Sequence, residues 1–283
     1  MAIVNTHYGF CAKGSALNFT YTGNYNVRDD GVVELLTSGT LVFLRKAFID
    51  LFLVGGGGGG GSSVGSGSNS RYHGCGGGGG GYTKTIKNKE VYGTVNVSIG
   101  AGGSTGNSGE STSFGSEVAL GGAGGAHVNT SSSGYGSNGG NGGSGGGAGL
   151  PSLASGTWSI AGGSDGNNGS MPKGTGLSVY PGNGQGSTTR EFGEITGKLY
   201  AGGGGGGYGS SSTAPGQNVN TSGGNGGGGN GTVIHKGTII QPSTAGEANT
   251  GGGGGGGGRG LPATSNQYGA SGGSGIVCFR TAK

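Results

Sequence analysis

Apolar residues concentrate near the start of the chain, in short runs that have the spacing of β-strands. Within the first 54 residues, we predict strands at 17–22, 32–36, 41–44 and 48–54. The turn-forming sequences Thr-Gly-Asn and Thr-Ser-Gly separate some of these runs. No stretch has apolar residues at helical spacing over a useful length. The opening region is therefore predicted to be β-structure.

Later apolar runs are shorter and lie between glycine-rich stretches. Residues 95–99 read Val-Asn-Val-Ser-Ile, a strict alternation that predicts a strand with one buried face. Polar and β-prone residues also alternate after the second glycine run. Beyond residue 54 the predicted strands are 82–88, 95–99, 112–114, 194–200, 232–235, 238–241 and 276–280.

Glycine supplies 84 of the 283 residues, and four uninterrupted runs stand at 55–61, 76–81, 202–207 and 251–258. Such runs form either flexible tethers or a lattice of packed backbone. The low content of Leu, Ile, Val and Phe, 47 residues in all, favours a tether. The small net charge of +4 and the strands that frame the runs favour a lattice.

The spacing of glycine indicates which lattice to expect. Residues 138–146 read Asn-Gly-Gly-Asn-Gly-Gly-Ser-Gly-Gly, a period of three, whereas six prolines without a sustained Gly-X-Y repeat exclude collagen. A left-handed helix of the polyproline II type has three residues per turn, and without side chains such helices can pack and hydrogen-bond to one another. We therefore predict an all-β protein with polyglycine II. A short-stranded β region, residues 1–54, frames a sandwich of glycine-rich helices in residues 55–283, closed by a strand at 275–280. Four glycines represent the predicted packed positions: Gly58, Gly79, Gly205 and Gly254.

Several motifs carry a resemblance to a known family. An apolar strand enters a glycine run at 52–61, and Tyr-Thr-Lys follows a glycine run at 76–84. Val-Asn-Val-Ser-Ile-Gly-Ala-Gly-Gly occupies 95–103, Thr-Ser-Phe-Gly occupies 112–115, and an apolar closing strand ends at 280. In these features the chain resembles the glycine-rich domains of bacteriophage tail and adhesin proteins. The architecture is similar to the tip adhesins of T-even-like phage tail fibres, although residues 1–40 do not match the fibre-attachment domain of those adhesins.

The resemblance implies a non-enzymatic virion protein made in the host cytoplasm. Its expected partners are other tail or fibre proteins and a bacterial surface receptor, either a polysaccharide or an outer-surface protein. Whether the chain forms a homo-oligomer is left open. The first 20 residues lack a signal-peptide pattern, and no apolar stretch reaches 18 residues, so neither export nor membrane insertion is expected.

Residue patterns typical of catalysis or cofactor binding are missing from the sequence. The three cysteines, Cys11, Cys75 and Cys278, and the four histidines do not have metal-ligand spacing. A Gly-x-Gly-x-x-Gly match at 134–139 follows no apolar strand, so it does not indicate a dinucleotide site. Basic residues are too dilute for nucleic-acid binding. We expect no catalytic residue, metal or cofactor.

The segments between glycine runs are rich in Tyr, Ser, Asn and Thr, the composition of antibody paratopes. They are either recognition loops on a rigid platform or solvated turns. The hypothesis of a receptor-binding adhesin competes with that of a purely structural fibre, tail-tip or decoration protein. An ice-binding protein is a third alternative, and only residues 134–149 approach its regular repeats. The predicted receptor-binding residues are Tyr72, His73, Tyr135, Trp158, Tyr180, Tyr208 and Tyr268.

Overall fold

A computed structural model describes residues 5–8, 17–64, 73–129, 136–151, 189–210, 221–235, 237–260 and 266–283. Within these ranges the protein is all-β, as predicted, and the only helical element is a 3₁₀ turn at Glu191–Gly193. The strands are β1 (Asn5–Tyr8), β2 (Asn18–Tyr21), β3 (Tyr25–Val27), β4 (Val33–Leu35), β5 (Gly39–Val54), β6 (Ser63–Val64), β7 (His73–Gly74), β8 (Thr83–Ser98), β9 (Thr112–Phe114), β10 (Glu117–Ala119), β11 (Val128–Asn129), β12 (Leu150–Pro151), β13 (Tyr208–Ser210), β14 (Val233–His235), β15 (Thr238–Gln241), β16 (Gly258–Arg259), β17 (Asn266–Gln267) and β18 (Ile276–Thr281).

The largest sheet has nine strands, all paired antiparallel. Its main path runs β10-β9-β8-β5-β18-β4-β3, while β2 pairs with the first part of β5 and β1 pairs with β2. The closing strand β18 inserts between β5 and β4, as a long-range pairing between the two ends of the described chain. This sheet therefore contains residues from both sides of position 54.

Strands β5 and β8 are each 16 residues long, where the sequence predicted two shorter strands in each case. The register jumps from Phe43 opposite Gly93 to Ala47 opposite Val91, so that three residues of β5 oppose Tyr92 alone. This bulge bends the strands without ending their pairing. The bulge contains the exposed Leu44, Arg45 and Lys46, of which Leu44 ends the first predicted strand.

The end of β5 is buried on both faces, which explains its continuous apolar sequence. Leu51 and Leu53 pack on one face in a core with Val277 and Phe279 of β18. The alternate residues of both strands point to the opposite face, where they form a second core with Phe192 and Tyr200. The second core members are Val32, Phe52, Val54, Phe192, Tyr200, Ala201, Ile276 and Cys278.

One predicted strand, residues 194–200, is wrong. Residues 194–197 form a turn after the 3₁₀ element, and only an isolated bridge joins Leu199 to Arg190. Phe192 in the 3₁₀ turn and Tyr200 at the end of the predicted strand are instead buried against Phe52. Side-chain packing across the sheet therefore overrides local β-propensity.

Residues 55–61 are surrounded by other glycine-rich backbone. Their seven amides donate hydrogen bonds to three neighbouring segments, with donor–acceptor distances of 2.8–3.0 Å. Successive amides bond to each segment in turn, so the order of partners repeats every three residues. The three segments are residues 76–82, 107–110 and 270–273. The carbonyl groups of residues 56–61 accept, again in rotation, from residues 103–106, 122–125 and 254–257. The partner therefore repeats every third residue, and the segment has six hydrogen-bonded neighbours.

Two other glycine runs have the same environment. Residues 75–81 and 251–257 also exchange backbone hydrogen bonds with six segments each, and residues 201–207 do so with five described segments. We call these four stretches, residues 55–61, 75–81, 201–207 and 251–257, the inner segments. Every residue of the inner segments is buried. We call the inner segments, together with the segments hydrogen-bonded to them, the glycine-rich block, and we call those surrounding segments its outer segments.

The outer segments of the glycine-rich block carry side chains at intervals of three. Asn138 and Asn141 are exposed, whereas Gly140 between them is buried. A Cβ on Gly140 would overlap the carbonyl oxygen of Ala123 in the adjacent segment. At 138–141 the triplet sequence therefore places its asparagines toward solvent and keeps Gly140 free of a side chain, whereas Ser144, the next residue of the series, is buried.

The block has two distinct ends. At the sheet end, Gly55 directly follows β5, and its amide bonds to Tyr82, which precedes β8. At the outer end, the amide of Gly61 bonds to Gly76, beyond which lie the short sheets β11-β6, β12-β13-β14-β15 and β17-β16-β7. Four segments outside the described residues, 65–72, 130–135, 211–220 and 261–265, begin and end next to described residues of this outer end.

Candidate functional site

The outer end is built from short strands that follow the glycine segments. Strand β16 pairs with both β7 and β17, which places Arg259 opposite His73 on one side and Asn266 on the other. His73 is 1% exposed and Arg259 is 5% exposed. His73, one of the predicted receptor-binding residues, is therefore buried within this small sheet.

Tyr208 lies in the neighbouring four-stranded sheet. It is 4% exposed, and its ring packs edge-on against His235 with centroids 5.7 Å apart. Val233 and Ile234 of β14 are also buried, so this sheet has an apolar interior at the end of the block. In this structure Tyr208 packs against other residues of the protein and presents almost no surface.

Tyr268, in contrast, is 66% exposed. Its carbonyl oxygen accepts a 2.6 Å hydrogen bond from Ser243 Oγ, and the amide of the next residue, Gly269, bonds to Ser62 Oγ. The backbone at Tyr268 is thus fixed while the ring faces outward. The remaining predicted binding residues, Tyr72, Tyr135, Trp158 and Tyr180, lie outside the described residues.

The outer end also exposes two isoleucines that are not among the predicted binding residues. Ile239 and Ile240 of β15 are 39% and 61% exposed, although they were predicted only as part of a strand. Adjacent strand residues point to opposite faces, and β15 is the last strand of its sheet. Two consecutive apolar residues at the edge of a small sheet were the available signal for an exposed patch.

The predicted structural glycines all lie within the block. A Cβ on Gly58, Gly79 or Gly254 would come within 3.0 Å of a backbone carbonyl oxygen of an adjacent segment, and the same holds for Gly205. Real Cβ atoms do not approach so closely. The block therefore depends on the absence of side chains at these positions.

A charged cluster joins the 3₁₀ turn to the sheet. Arg28 donates to both carboxylate oxygens of Glu191, at 3.0 and 2.6 Å, and also to Glu34 and Asp30. Glu34, Glu191 and Cys278 bring three possible metal-ligand atoms within 4.8 Å of one another. However, burial raises the pKa of the Cys278 thiol, and both carboxylates already pair with the Arg28 guanidinium. The arrangement is therefore that of a salt-bridge clamp.

A second cluster clamps the residues that follow the turn. Arg280 of β18 bonds to both Asp50 and Glu194, and its guanidinium lies 4.1 Å from the centre of the Phe192 ring. Hydrogen bonds from Arg280 lower the pKa of Glu194 to about 2. Burial alone would raise the pKa of Asp50, but bonds from the Asn88 amide, Lys87 and Arg280 lower it. The sequence signal for the buried pair of Asp50 and Arg280 was the presence of a charged residue, Asp50, inside the apolar run 48–54.

Two cysteines are buried free thiols. Cys75 lies at the outer end of an inner segment, where burial raises its pKa to about 12. Cys278 contacts the Tyr200 hydroxyl in the second core, with 3.8 Å between the sulfur and the oxygen. Neither environment favours the thiolate, so neither cysteine has the character of a nucleophile.

The fold and its two ends define an all-β protein built around a glycine-rich block. The model of the family described as Glycine-rich domain matches residues 37–282, and the chain belongs to that family. A search among curated proteins found no match. Within the described residues, no helix has the length and apolar character needed to cross a membrane.

Proposed function

We propose that this chain is a receptor-binding adhesin of a bacteriophage tail or tail fibre. The observation that carries the proposal is the two-ended construction of the glycine-rich block. One end is fused to a well-packed sheet, and the other is where four connecting segments leave and return. Recognition then takes place at the outer end, and the sheet is the side that joins the particle.

In this proposal the block is a sandwich of polyglycine II helices. The support is the three-residue rotation of hydrogen-bond partners around the inner segments and the exposure of Asn138 and Asn141, three residues apart, in an outer one. Three residues per turn at a rise of about 3.1 Å would give a six-residue segment a length of about 19 Å. Such a block holds its outer end at a fixed distance and orientation from the sheet.

The resemblance of 52–61, 76–84, 95–103 and 112–115 to the glycine-rich domains of phage tail and adhesin proteins supports the virion assignment. The exposed Tyr268, Ile239 and Ile240 supply the described part of a contact surface. Aromatic and aliphatic side chains held by rigid backbone lose little entropy on binding. The receptor is proposed to be a polysaccharide or a protein of the bacterial surface.

The test uses fluorescently labelled protein and cells of the host in which the particle carrying this chain multiplies. Wild-type protein should bind the cells and block adsorption of the particle. Tyr268→Ala should weaken both effects about tenfold or more, as expected for an aromatic contact residue. Tyr92→Ala is a matched control, because Tyr92 is 71% exposed and lies in the bulge of the sheet.

The burial of His73 and Tyr208, two predicted contact residues, favours a second candidate. In that alternative the chain is a structural fibre, tail-tip or decoration protein without a receptor. Wild-type protein would then neither bind cells nor block adsorption, while deletion of the chain would still prevent assembly of the particle. Those two results together would reject the adhesin and support the structural role.

A further inference from the structure

The nine-stranded sheet contains a cavity of about 380 Å³ that the proposed recognition end does not include. It lies beside the bulge of β5, where the start of β2 and the residues after β18 meet. The amide of Ala282 bonds to the carbonyl oxygen of Phe48 and fixes one wall. The lining residues are Leu17, Asn18, Arg45, Lys46, Ala47, Phe48, Asn88, Thr281, Ala282 and Lys283.

Among the described residues that line the cavity, three have cationic side chains and none has an acidic side chain. Lys46 pairs with Glu90 at 2.9 Å, but both side chains are more than half exposed, so this ion pair is weak. Lys283 lies 3.5 Å from Glu194, which already bonds to Arg280. Arg45 has no ion-pair partner among the described residues. The cavity therefore offers Arg45 as a cation available to an anionic group.

The other walls of the cavity provide apolar surface and a hydrogen-bond acceptor. Leu17, Ala47 and Phe48 provide apolar surface, and Phe48 remains 45% exposed. The Oδ1 atom of Asn18 is buried, and no described residue donates a hydrogen bond to it. A buried acceptor without a donor is unfavourable, and a ligand N–H would relieve it. A carboxylate, an apolar group and an N–H donor occur together in an acidic peptide.

We propose that this cavity binds an extended acidic peptide segment of a partner protein. A carboxylate of the peptide pairs with Arg45, a neighbouring apolar side chain packs on Phe48 and Leu17, and a main-chain N–H bonds to Asn18. The volume suits one or two side chains of such a segment. The inference deepens the proposed function, on which it rests, because it places the junction with the particle in the sheet.

The direct test is an NMR titration of ¹⁵N-labelled full-length protein with the peptide acetyl-Asp-Leu-Glu-amide. Its neutral isostere acetyl-Asn-Leu-Gln-amide is the ligand control. We expect the acidic peptide to bind at least tenfold more tightly and to shift the amides of Ala47, Phe48 and Ala282. Arg45→Gln should lose at least tenfold in affinity, since one charge-assisted contact is removed. Lys84→Gln, which removes a charge elsewhere in the sheet, should change affinity by less than twofold.

A variant without a charge change tests the apolar contact. Phe48→Ala should weaken binding of the acidic peptide while the thermal unfolding midpoint, measured on the same sample, confirms that the protein is folded. Equal binding of the two peptides, unchanged affinity in Arg45→Gln, or shifts confined to other surfaces would overturn the proposal. So would a dimer of the wild-type chain that Arg45→Gln dissociates, because the occupant would then be a second copy. Peptide binding without cell binding would reject the adhesin alone.

Discussion

The amide of Gly254 donates a 2.8 Å hydrogen bond to the carbonyl oxygen of Gly58, which joins two inner segments that are far apart in the sequence. Gly58 in turn donates to Gly79 at 2.8 Å, so three glycine runs are linked through consecutive backbone groups. Both glycines are buried, and neither position has room for a Cβ. The stability of the block therefore depends on contacts between backbone atoms.

Gly254→Val is the strictest test of this packing. The new side chain would overlap the carbonyl oxygen of Ala270 and separate two segments, leaving buried amides unpaired at about 1–3 kcal/mol each. We expect a loss of at least about 3 kcal/mol in the free energy of unfolding, measured by chemical denaturation. Ala126→Val is the control, because Ala126 is exposed on an outer segment. An unchanged midpoint for Gly254→Val would refute the packed block.

The triplet rule can be tested at two adjacent positions of one outer segment. Gly140→Ala should cost about 2 kcal/mol or more, because its Cβ would collide with the backbone of Ala123. Asn141→Ala should cost less than about 1 kcal/mol, because the Asn141 side chain is exposed. Thermal unfolding of the two variants, followed by circular dichroism, gives the comparison. Equal losses would show that side-chain direction in this segment differs from that described.

The clamp between Arg28 and Glu191 should be costly to break. Arg28→Leu leaves the buried Glu191 carboxylate without its cation, at a cost of about 3 kcal/mol in unfolding free energy. Arg45→Leu removes the same charge from an exposed position without a described ion-pair partner and should change stability by less than about 0.5 kcal/mol. If the two variants unfold at the same denaturant concentration, the clamp contributes nothing to stability.

The contribution of Glu194 to the stability of the fold should decrease as the pH falls. Its folded-state pKa is about 2, below the ordinary value of 4.5, so the stabilisation is fully present above about pH 4.5 and is lost as the pH falls toward 2. The difference in unfolding midpoint between wild type and Glu194→Gln should therefore be constant from pH 5 upward and shrink between about pH 4.5 and 2. A difference that persists undiminished at about pH 2 would contradict the ion pair with Arg280.

The buried thiols provide a probe of the intact block. In a Cys11→Ser variant at pH 8, Cys75 and Cys278 should resist iodoacetamide, because both are buried and a thiol with a pKa of about 12 is only about one part in ten thousand thiolate. Mass spectrometry should show no adduct in the native protein and two in guanidinium chloride. Rapid native modification would mean that the block or the second core opens readily.

Local pattern predicted part of this fold well. The strands at 112–114 and 238–241 lie where alternation and β-propensity placed them, and the spacing of 138–141 matches the exposure of Asn138 and Asn141, although Ser144 is buried. In these cases residues close together in the sequence determine the local structure. The bulge that joins two predicted strands into β5 depends instead on its pairing with β8.

Other features could not be predicted because they depend on distant partners. The Arg28–Glu191 clamp joins residues 163 positions apart and, together with the packing of Phe192 and Tyr200 on Phe52, holds the region of the wrongly predicted strand 194–200 against the sheet. Identical glycines also carry no information about which neighbour each will contact. For the candidate site, composition selected the exposed Tyr268 together with the buried His73 and Tyr208, since side-chain type does not specify burial.

The rotation of hydrogen-bond partners also constrains how the sequence can change in length. Adding one residue inside 55–61 would turn every later amide toward a different neighbour, much as a single inserted nucleotide shifts a reading frame. Insertions between two segments, at the outer end, do not change which neighbour each amide faces, because no residue is added within a segment. Length variation in this protein should therefore accumulate at the outer end, while the inner runs keep their count.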